Sequence, residues 1–365
     1  MEKSISSLLS DALINTILPG IDVPLSSVGK IQHCEIKKKS VLIKIELGIP
    51  LKKSLSEIKT TLIAATAAII PDAKIELAIT SNIIAHAVKP PLSPIKNVRN
   101  IIAIASGKGG VGKSTIATNM ALALVQEGAK VGMLDADIYG PSQPLMFGLE
   151  GERPQSTDGK NMYPLIGHGV QVISIGLLVD TNQPLVWRGP MVSSALNQLL
   201  NQTKWDDLDY LIVDMPPGTG DIQLTLSQKI PVSGVAIITT PQDIALLDAR
   251  RGLEMFKKVS VPILGVIENM STYVCQKCQH EEPIFGSQGG VKMADELKVQ
   301  LLGQLPLDIS IRKQTDGGFP TVINEPDGSH ANIFRKIALR MVSNLATQSK
   351  DFSQHFKKIV VEENS

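Results

Sequence analysis

The residues whose chemistry is plainest lie between Gly107 and Thr115, where the chain reads GKGGVGKST. Gly107, Gly109, Gly110 and Gly112, interleaved with Lys108 and Val111, let successive backbone N–H groups approach phosphate oxygens with no Cβ in the way. Lys113 is spaced to reach β- and γ-phosphates, and the hydroxyl of Ser114, followed by Thr115, is placed to ligate Mg²⁺. The spacing G-x-x-x-x-G-K-[ST] carries meaning only between a strand and a helix. Both flanks comply. Ile101 to Ser106 is the apolar, β-branched run of a buried parallel strand, and TIATNMALALVQEG from Thr115 is helical, with Gly128 as its stop. The helix N-terminus adds free N–H donors and a partial positive charge.

Two acids follow at suitable places. A strand over Lys130 to Leu134 leads into Asp135-Ala136-Asp137, and the buried strand LDYLIVD, Leu208 to Asp214, leads into MPPGTGD. In a doubly wound sheet, ligands sit beyond the carboxyl ends of the strands. Asp137 therefore reaches Mg²⁺ or the water facing a γ-phosphate, and Asp214 anchors Mg²⁺ directly or through water. The Gly218 backbone is placed to sense the γ-phosphate, which makes its loop a candidate switch. WRGP, Trp187 to Pro190, precedes a helix over Met191 to Leu200. No physical argument assigns Arg188 a role.

Cys275 and Cys278 form a Cys-x-x-Cys turn, which sets two sulfurs close enough to share a metal or form a disulfide. Structural zinc and iron–sulfur clusters usually take four protein ligands, and the chain has no second such pair. A two-fold dimer bringing both pairs together supplies four thiolates. A redox dithiol, a zinc site completed by His280 and an incidental loop pair remain open. Cys34, alone in a strand pattern, reads as a small buried hydrophobe.

These residues need a scaffold. A chain of 365 residues suggests about two domains, and 43% apolar with 19% charged residues is a globular composition. A net charge of +1 implies no large nucleic-acid footprint, and three cysteines exclude a dense disulfide framework. The N-terminus lacks the basic and apolar blocks of a secretory signal, and the run Leu62 to Ile70 is too short to span a bilayer. The expectation is a cytoplasmic protein without membrane or nucleic-acid partners. Residues 1–85 read as a small α+β domain: helix Ser7 to Leu18, strands Lys30 to Ile36 and Ser40 to Leu47 around a Lys37–Lys39 turn, helix Leu55 to Ile69, strand Lys74 to Ile79. Residues 86–98, rich in proline, read as an extended linker. Residues 99–346 alternate strands and helices, with further strands at Val170 to Ile175, Val232 to Thr239, Pro262 to Asn269 and Leu301 to Leu305. Pro241-Gln242-Asp243 opens a further helix, and others follow at Gly290 to Leu297 and, last, at Ala331 to Leu345. The fold class is therefore α/β, a mainly parallel P-loop NTPase sheet with helices on both faces, preceded by the small α+β domain. Residues 347–365 read as a polar, frayed tail.

With its second lysine, Lys108, GKGGVGKST resembles the deviant P-loop of the MinD/ParA/nitrogenase-reductase class, whose members use that lysine across an ATP-sandwich homodimer. DADIYGPSQP (Asp135 to Pro144), WRGP, DMPPGTGD (Asp214 to Asp221), ENMSTYVCQKC (Glu268 to Cys278) and PLDISIR (Pro306 to Arg312) occur in that order and resemble the Mrp/ApbC iron–sulfur cluster carriers from about residue 99 to 345. The N-terminal unit resembles the small domain often fused ahead of these proteins in element order only. It lacks their T-x-x-x-C-P-type turn near Leu47 to Leu55. The resemblance implies a slow ATPase in which Gly107 to Thr115 hold ATP, with Lys108 and Lys113 on its phosphates. Ser114 and Asp214 would attend Mg²⁺, and Asp137 would position the attacking water. Asn269 and the segment after Pro306 would lie where the class contacts adenine. Cys275 and Cys278 would hold a bridging [4Fe–4S] cluster in a homodimer that serves apo iron–sulfur proteins, with cluster scaffold proteins as further partners. A ParA/MinD-like positioning ATPase on DNA or membrane is the alternative, as is a zinc-bridged scaffold. The tail VVEENS is not a basic amphipathic helix.

Overall fold

The structure is a computed structural model that describes residues 5–37, 40–156, 158–178, 189–275, 277–278 and 280–351. The first unit starts with helix α1 (Ile5–Asn15), a short antiparallel pair, β1 (Ile17–Leu18) and β2 (Val23–Pro24), and one turn of helix, α2 (Leu25–Val28). Strands β3 (Gly29–Lys37) and β4 (Ser40–Leu47), helix α3 (Leu55–Ile69) and strand β5 (Lys74–Ser81) complete it. The sheet order is β3-β4-β5, with β3 antiparallel and β5 parallel to the central strand. Val41, Ile43, Ile45 and Leu47 alternate along β4 and are buried, the period-2 pattern of a strand with one covered face.

The second unit runs β6 (Val98–Ser106), α4 (Lys113–Gln126), β7 (Val131–Asp135), α5 (Gln143–Met146), β8 (Leu165–Gly167), β9 (Val170–Ser174), α6 (Gly189–Asn201) and β10 (Leu208–Asp214). It continues through α7 (Asp221–Lys229), β11 (Gly234–Thr239), α8 (Asp243–Lys258), β12 (Ile263–Glu268), the hairpin β13 (Tyr273–Val274) and β14 (Glu281–Glu282), and α9 (Gly289–Leu297). Strand β15 (Leu301–Gln304) and helices α10 (Ile309–Asp316), α11 (Thr321–Asn324) and α12 (Ser329–Ala346) close it. The sheet order is β15-β12-β11-β6-β10-β7-β9-β8, parallel except for β8. Ile102, Ile104 and Ile212 pack one face with α4 and α12, while Ala103, Ala105 and Val213 pack the other with α6 and α8. Central strands buried on both faces explain their near-continuous apolar sequences.

The two units share apolar core. Buried residues of the small sheet and of the α4/α12 face belong to one cluster. The expected linker begins packed. His86 is buried, its backbone N–H and Nδ1 meet Asn100 Oδ1 at 3.0 and 2.9 Å, and Ala87 N–H donates to the Ser349 carbonyl at 2.8 Å. Residues 347–351 therefore run along 85–87 and are not frayed, because β6 and the chain after α12 bracket this segment. The rest of the expected tail, 352–365, lies outside the described residues.

Candidate functional site

The parallel register sets the site. Asp214 at the end of β10 is paired with Asp135 at the end of β7 on one side and with Ile104 of β6 on the other. The phosphate loop leaves β6 at the same edge. Two of its glycines are dictated by close approach. A Cβ on Gly107 would lie 2.2 Å from the Asp248 backbone of α8. Gly112 has φ +81°, and its Cβ would lie 2.3 Å from Asn269 Nδ2. Asn269 donates from that nitrogen to the Val111 carbonyl at 2.9 Å, so the end of β12 fastens the loop. The structure thus places Asn269 against the loop backbone. The segment after Pro306 is held by Leu307 N–H on the Thr272 carbonyl, and Asp308 caps α10 by accepting from Ser310 N–H at 2.7 Å.

Lys108, Gly109, Gly110, Gly112, Lys113, Ser114 and Thr115 line a cleft of about 280 Å³ together with Asp137, Ser142 and Pro217. Within it, the Lys113 ammonium is 6% exposed and forms a short ion pair with Oδ1 of the fully buried Asp214. Lys113 Nζ also lies 3.2 Å from Ser114 Oγ. The second Asp214 oxygen accepts from Gln143 Nε2 at 2.8 Å, and Gln143 Oε1 accepts from Thr118 Oγ1 at 2.7 Å. Asp135 accepts four hydrogen bonds, from the backbone N–H groups of Asp137, Ser142 and Gln143 and from Ser174 Oγ. Burial, then the charge of Asp214, pushes its carboxyl up to about 7. Burial also raises Asp137, against the pull of Lys113. Lys108 is exposed, its carbonyl accepts from Ser106 Oγ at 2.9 Å, and its ammonium makes no ion pair among the described residues.

The thiols occupy the hairpin after β12. Cys275 follows β13, its N–H donates to the His280 carbonyl at 2.9 Å, and β14 begins at once. Both cysteines are unpaired, with Cys278 exposed. The Cys278 and Lys277 backbone N–H groups, then the Cys278 side chain, hold the Cys275 thiol below its ordinary range. No three His, Cys, Asp or Glu side chains gather as a metal site among the described residues, so His280 does not join the pair. Trp187 and Arg188 lie outside the described residues.

Sequence reasoning missed Gln143, although it stands inside the quoted DADIYGPSQP. Its partner, Asp214, is 71 residues away. The signal available was a glutamine immediately after an N-cap serine. The P-loop, two carboxylates at adjacent strand ends and an exposed dithiol hairpin are now all on one sheet edge or next to it.

A family profile described as the NUBPL iron-transfer P-loop NTPase, of the ParA group, matches residues 97–342. The chain belongs to that family. An iron-sulfur cluster carrier protein of Pseudomonas fragi is 56% identical over 271 residues, covering 74% of this chain and 94% of the relative. An iron-sulfur cluster transfer protein of Mus musculus is 51% identical over 258 residues, covering 70% of this chain and 81% of the relative. A nucleotide-binding protein of Archaeoglobus fulgidus, solved with ADP, superposes with a TM-score of 0.56 at 32% identity, over 64% of this chain and 90% of that one. The cell division ATPase MinD of Pyrococcus furiosus shares the fold, with a TM-score of 0.52 at 24% identity, over 67% of this chain and 98% of that one. As a NUBPL-family P-loop NTPase, the chain has the expected fold class, a large mainly parallel sheet behind a small unit. No described helix is long and apolar enough to cross a membrane.

Proposed function

We propose that this protein is an ATP-binding, slowly hydrolysing carrier that holds a [4Fe–4S] cluster as cargo between two copies of the chain and delivers it to apo iron–sulfur proteins. The observation that carries the reading is the exposed Cys275–Cys278 hairpin, with one thiol biased toward thiolate, in the same unit as a complete phosphate loop. Two thiolates are half of a cluster's usual ligand set, and a two-fold axis supplies the rest. The close relatives named as cluster carriers and transfer proteins support the cargo.

The nucleotide chemistry follows from the cleft. The backbone from Gly107 to Thr115 and the start of α4 bind phosphate oxygens. Lys113, now paired with Asp214, moves its charge to a phosphate when one arrives. The donor set fits Mg²⁺: the Ser114 hydroxyl and the Asp214 carboxylate are hard oxygen ligands beside the lysine that phosphates would take. Bound there, Mg²⁺ supplies charge neutralisation on the phosphates. Asp137, on the cleft wall, orients the attacking water. Lys108 has no ion pair among the described residues and extends toward a second subunit's nucleotide.

Anaerobic reconstitution with iron and sulfide tests the cargo. The expected result is cluster absorbance in the visible on a two-subunit particle, lost in Cys278→Ser. Unchanged cluster content in that variant defeats the reading. Stoichiometric zinc in protein purified without air would favour a zinc-bridged scaffold instead. ATP-dependent binding to DNA or liposomes that survives loss of both thiols would favour a positioning ATPase.

A further inference from the structure

Gln143 touches both acids at the strand ends. Its backbone N–H donates to Asp135 Oδ2 at 3.2 Å, and its fully buried side chain donates from Nε2 to Asp214 Oδ2 at 2.8 Å. A carboxylate only accepts, so the amide nitrogen faces Asp214 and the amide oxygen faces Thr118, whose hydroxyl is 2.7 Å away. That hydroxyl also lies 2.9 Å from the Ser114 carbonyl, one turn earlier in α4. The amide is thus gripped at both ends, out of solvent.

The two Asp214 oxygens have different partners. Oδ2 belongs to Gln143 and Oδ1 to the Lys113 ammonium. The same ammonium stands 3.2 Å from Ser114 Oγ. One positive charge therefore sits between the carboxylate oxygen and the hydroxyl that the nucleotide reading gives to Mg²⁺. When a phosphate draws Lys113 away, Gln143 is the side-chain partner left to Asp214 among the described residues. The carboxyl torsion of an aspartate is broad, so without that partner either oxygen can turn to the cleft.

We propose that Gln143 is a positioning residue for the divalent cation of this site: by holding Oδ2 it keeps Asp214 turned with Oδ1 toward Ser114, for the cation that replaces the lysine's charge. The inference rests on the nucleotide reading above and deepens it. Gln143 acts through Asp214 and touches neither phosphate nor cation. Its contribution is felt once Lys113 has moved, so its loss falls on cation binding and spares nucleotide binding without metal.

Calorimetric titration of the full chain with ADP, once in EDTA and once with magnesium, separates the two. Mn²⁺ titrated into the ADP-saturated protein and followed by electron paramagnetic resonance reports the cation directly. Gln143→Met keeps the length of the side chain and removes the donor. It is expected to bind Mn²⁺ roughly tenfold more weakly, the worth of one hydrogen bond to a charged group, and to hold metal-free ADP within about twofold of wild type. Thr118→Val keeps the donor and frees only the far end of the amide, so its loss should be smaller and again confined to the cation. Melting curves show that each variant is folded; should Gln143→Met not fold, Thr118→Val decides by the same comparison. Equal losses with and without metal make Gln143 a prop of the loop and overturn the inference, as does an unchanged Mn²⁺ affinity. Wild type that binds ADP no better with magnesium overturns it too. Wild type that binds no ADP overturns the nucleotide reading and this inference with it.

Discussion

Replacing Glu127 by alanine should loosen the small N-terminal unit from the ATPase sheet. Glu127 directly follows α4, and its carboxylate is buried beneath the entrance to α3. Its Oε2 accepts from Lys53 N–H at 2.9 Å and Ser54 N–H at 3.1 Å, and its Oε1 accepts from Ser54 Oγ at 2.6 Å. Arg335 Nε of α12 stands 3.6 Å away. Ser54, the N-cap of α3, makes no side-chain cap bond because its hydroxyl donates to Glu127, which from another unit takes the N–H groups just ahead of the helix. Truncation to alanine leaves two N–H donors unpaired and a half-buried guanidinium without its counter-charge. Hydrogen bonds to a charged acceptor are worth about 1.5–3 kcal/mol each and do not add fully, so a loss of about 3 kcal/mol is expected. Spread over 365 residues at about 2.1 cal/mol/K per residue, that lowers Tm by about 4 °C if the chain melts as one unit. If the small unit detaches first, scanning calorimetry shows two transitions, and trypsin cleaves after Lys96 sooner than in wild type. Glu127→Gln retains an acceptor oxygen and should lose about half as much. Alanine at 127 melting within about 1 °C of wild type, with unchanged cleavage, would refute the clamp.

Lys113→Ala should weaken ATP-analogue binding by about 2.7 kcal/mol, a hundredfold, in a titration, because the charge on the phosphates is lost. Gly112→Ala places a Cβ in a φ +81° conformation and 2.3 Å from Asn269 Nδ2; a destabilisation of roughly 1–3 kcal/mol by urea unfolding is expected, together with weakened nucleotide binding. For the thiols, the folded chain lowers Cys275 and raises Cys34, so the thiolate of Cys275 is present at lower pH. Iodoacetamide labelling followed by peptide mass spectrometry should therefore modify Cys275 first as pH rises. Cys278→Ala should move its onset upward by removing a hydrogen bond to the thiolate.

What could be read from the chain was local. Ile101 to Thr115 contains a strand, a turn and a helix start whose spacing is self-sufficient, and LDYLIVD delivers Asp214 because that acid stands at the carboxyl end of an apolar run, Leu211 to Val213. Leu55 to Ile69 emerged as a helix with the expected bounds, since its apolar run ends at Ile70 and Pro71. The remainder depends on partners distant in sequence. Glu127 sits before a glycine at a helix end, where an acid is ordinarily solvated, and only the docking of α3 makes it a clamp. His86 stood at the head of a proline-rich stretch and looked like linker, yet Asn100, fixed by its own donation to the Ile84 carbonyl at 2.9 Å, takes it into the core. The short strand β8 and the two-strand pair β1–β2 carry too few residues for any period to show.

The charge arrangement at the strand ends limits what the site does with a nucleotide. Asp135 and Asp214 are fully buried neighbours on adjacent strands, and Lys113 is the cation paired with Asp214. A phosphate that takes Lys113 leaves two buried carboxyls at register-paired strand ends, and neighbouring like charges so buried disfavour ionisation of both without a counter-charge. A proton on Asp135 is one remedy, since burial and the charge of Asp214 already push its carboxyl upward. A divalent cation held by Asp214 and Ser114 would be the other, by supplying the counter-charge that Lys113 gives up. Nucleotide and cation are thus expected to bind this cleft together, with the loop from Asp137 to Gln143 held through those same two acids.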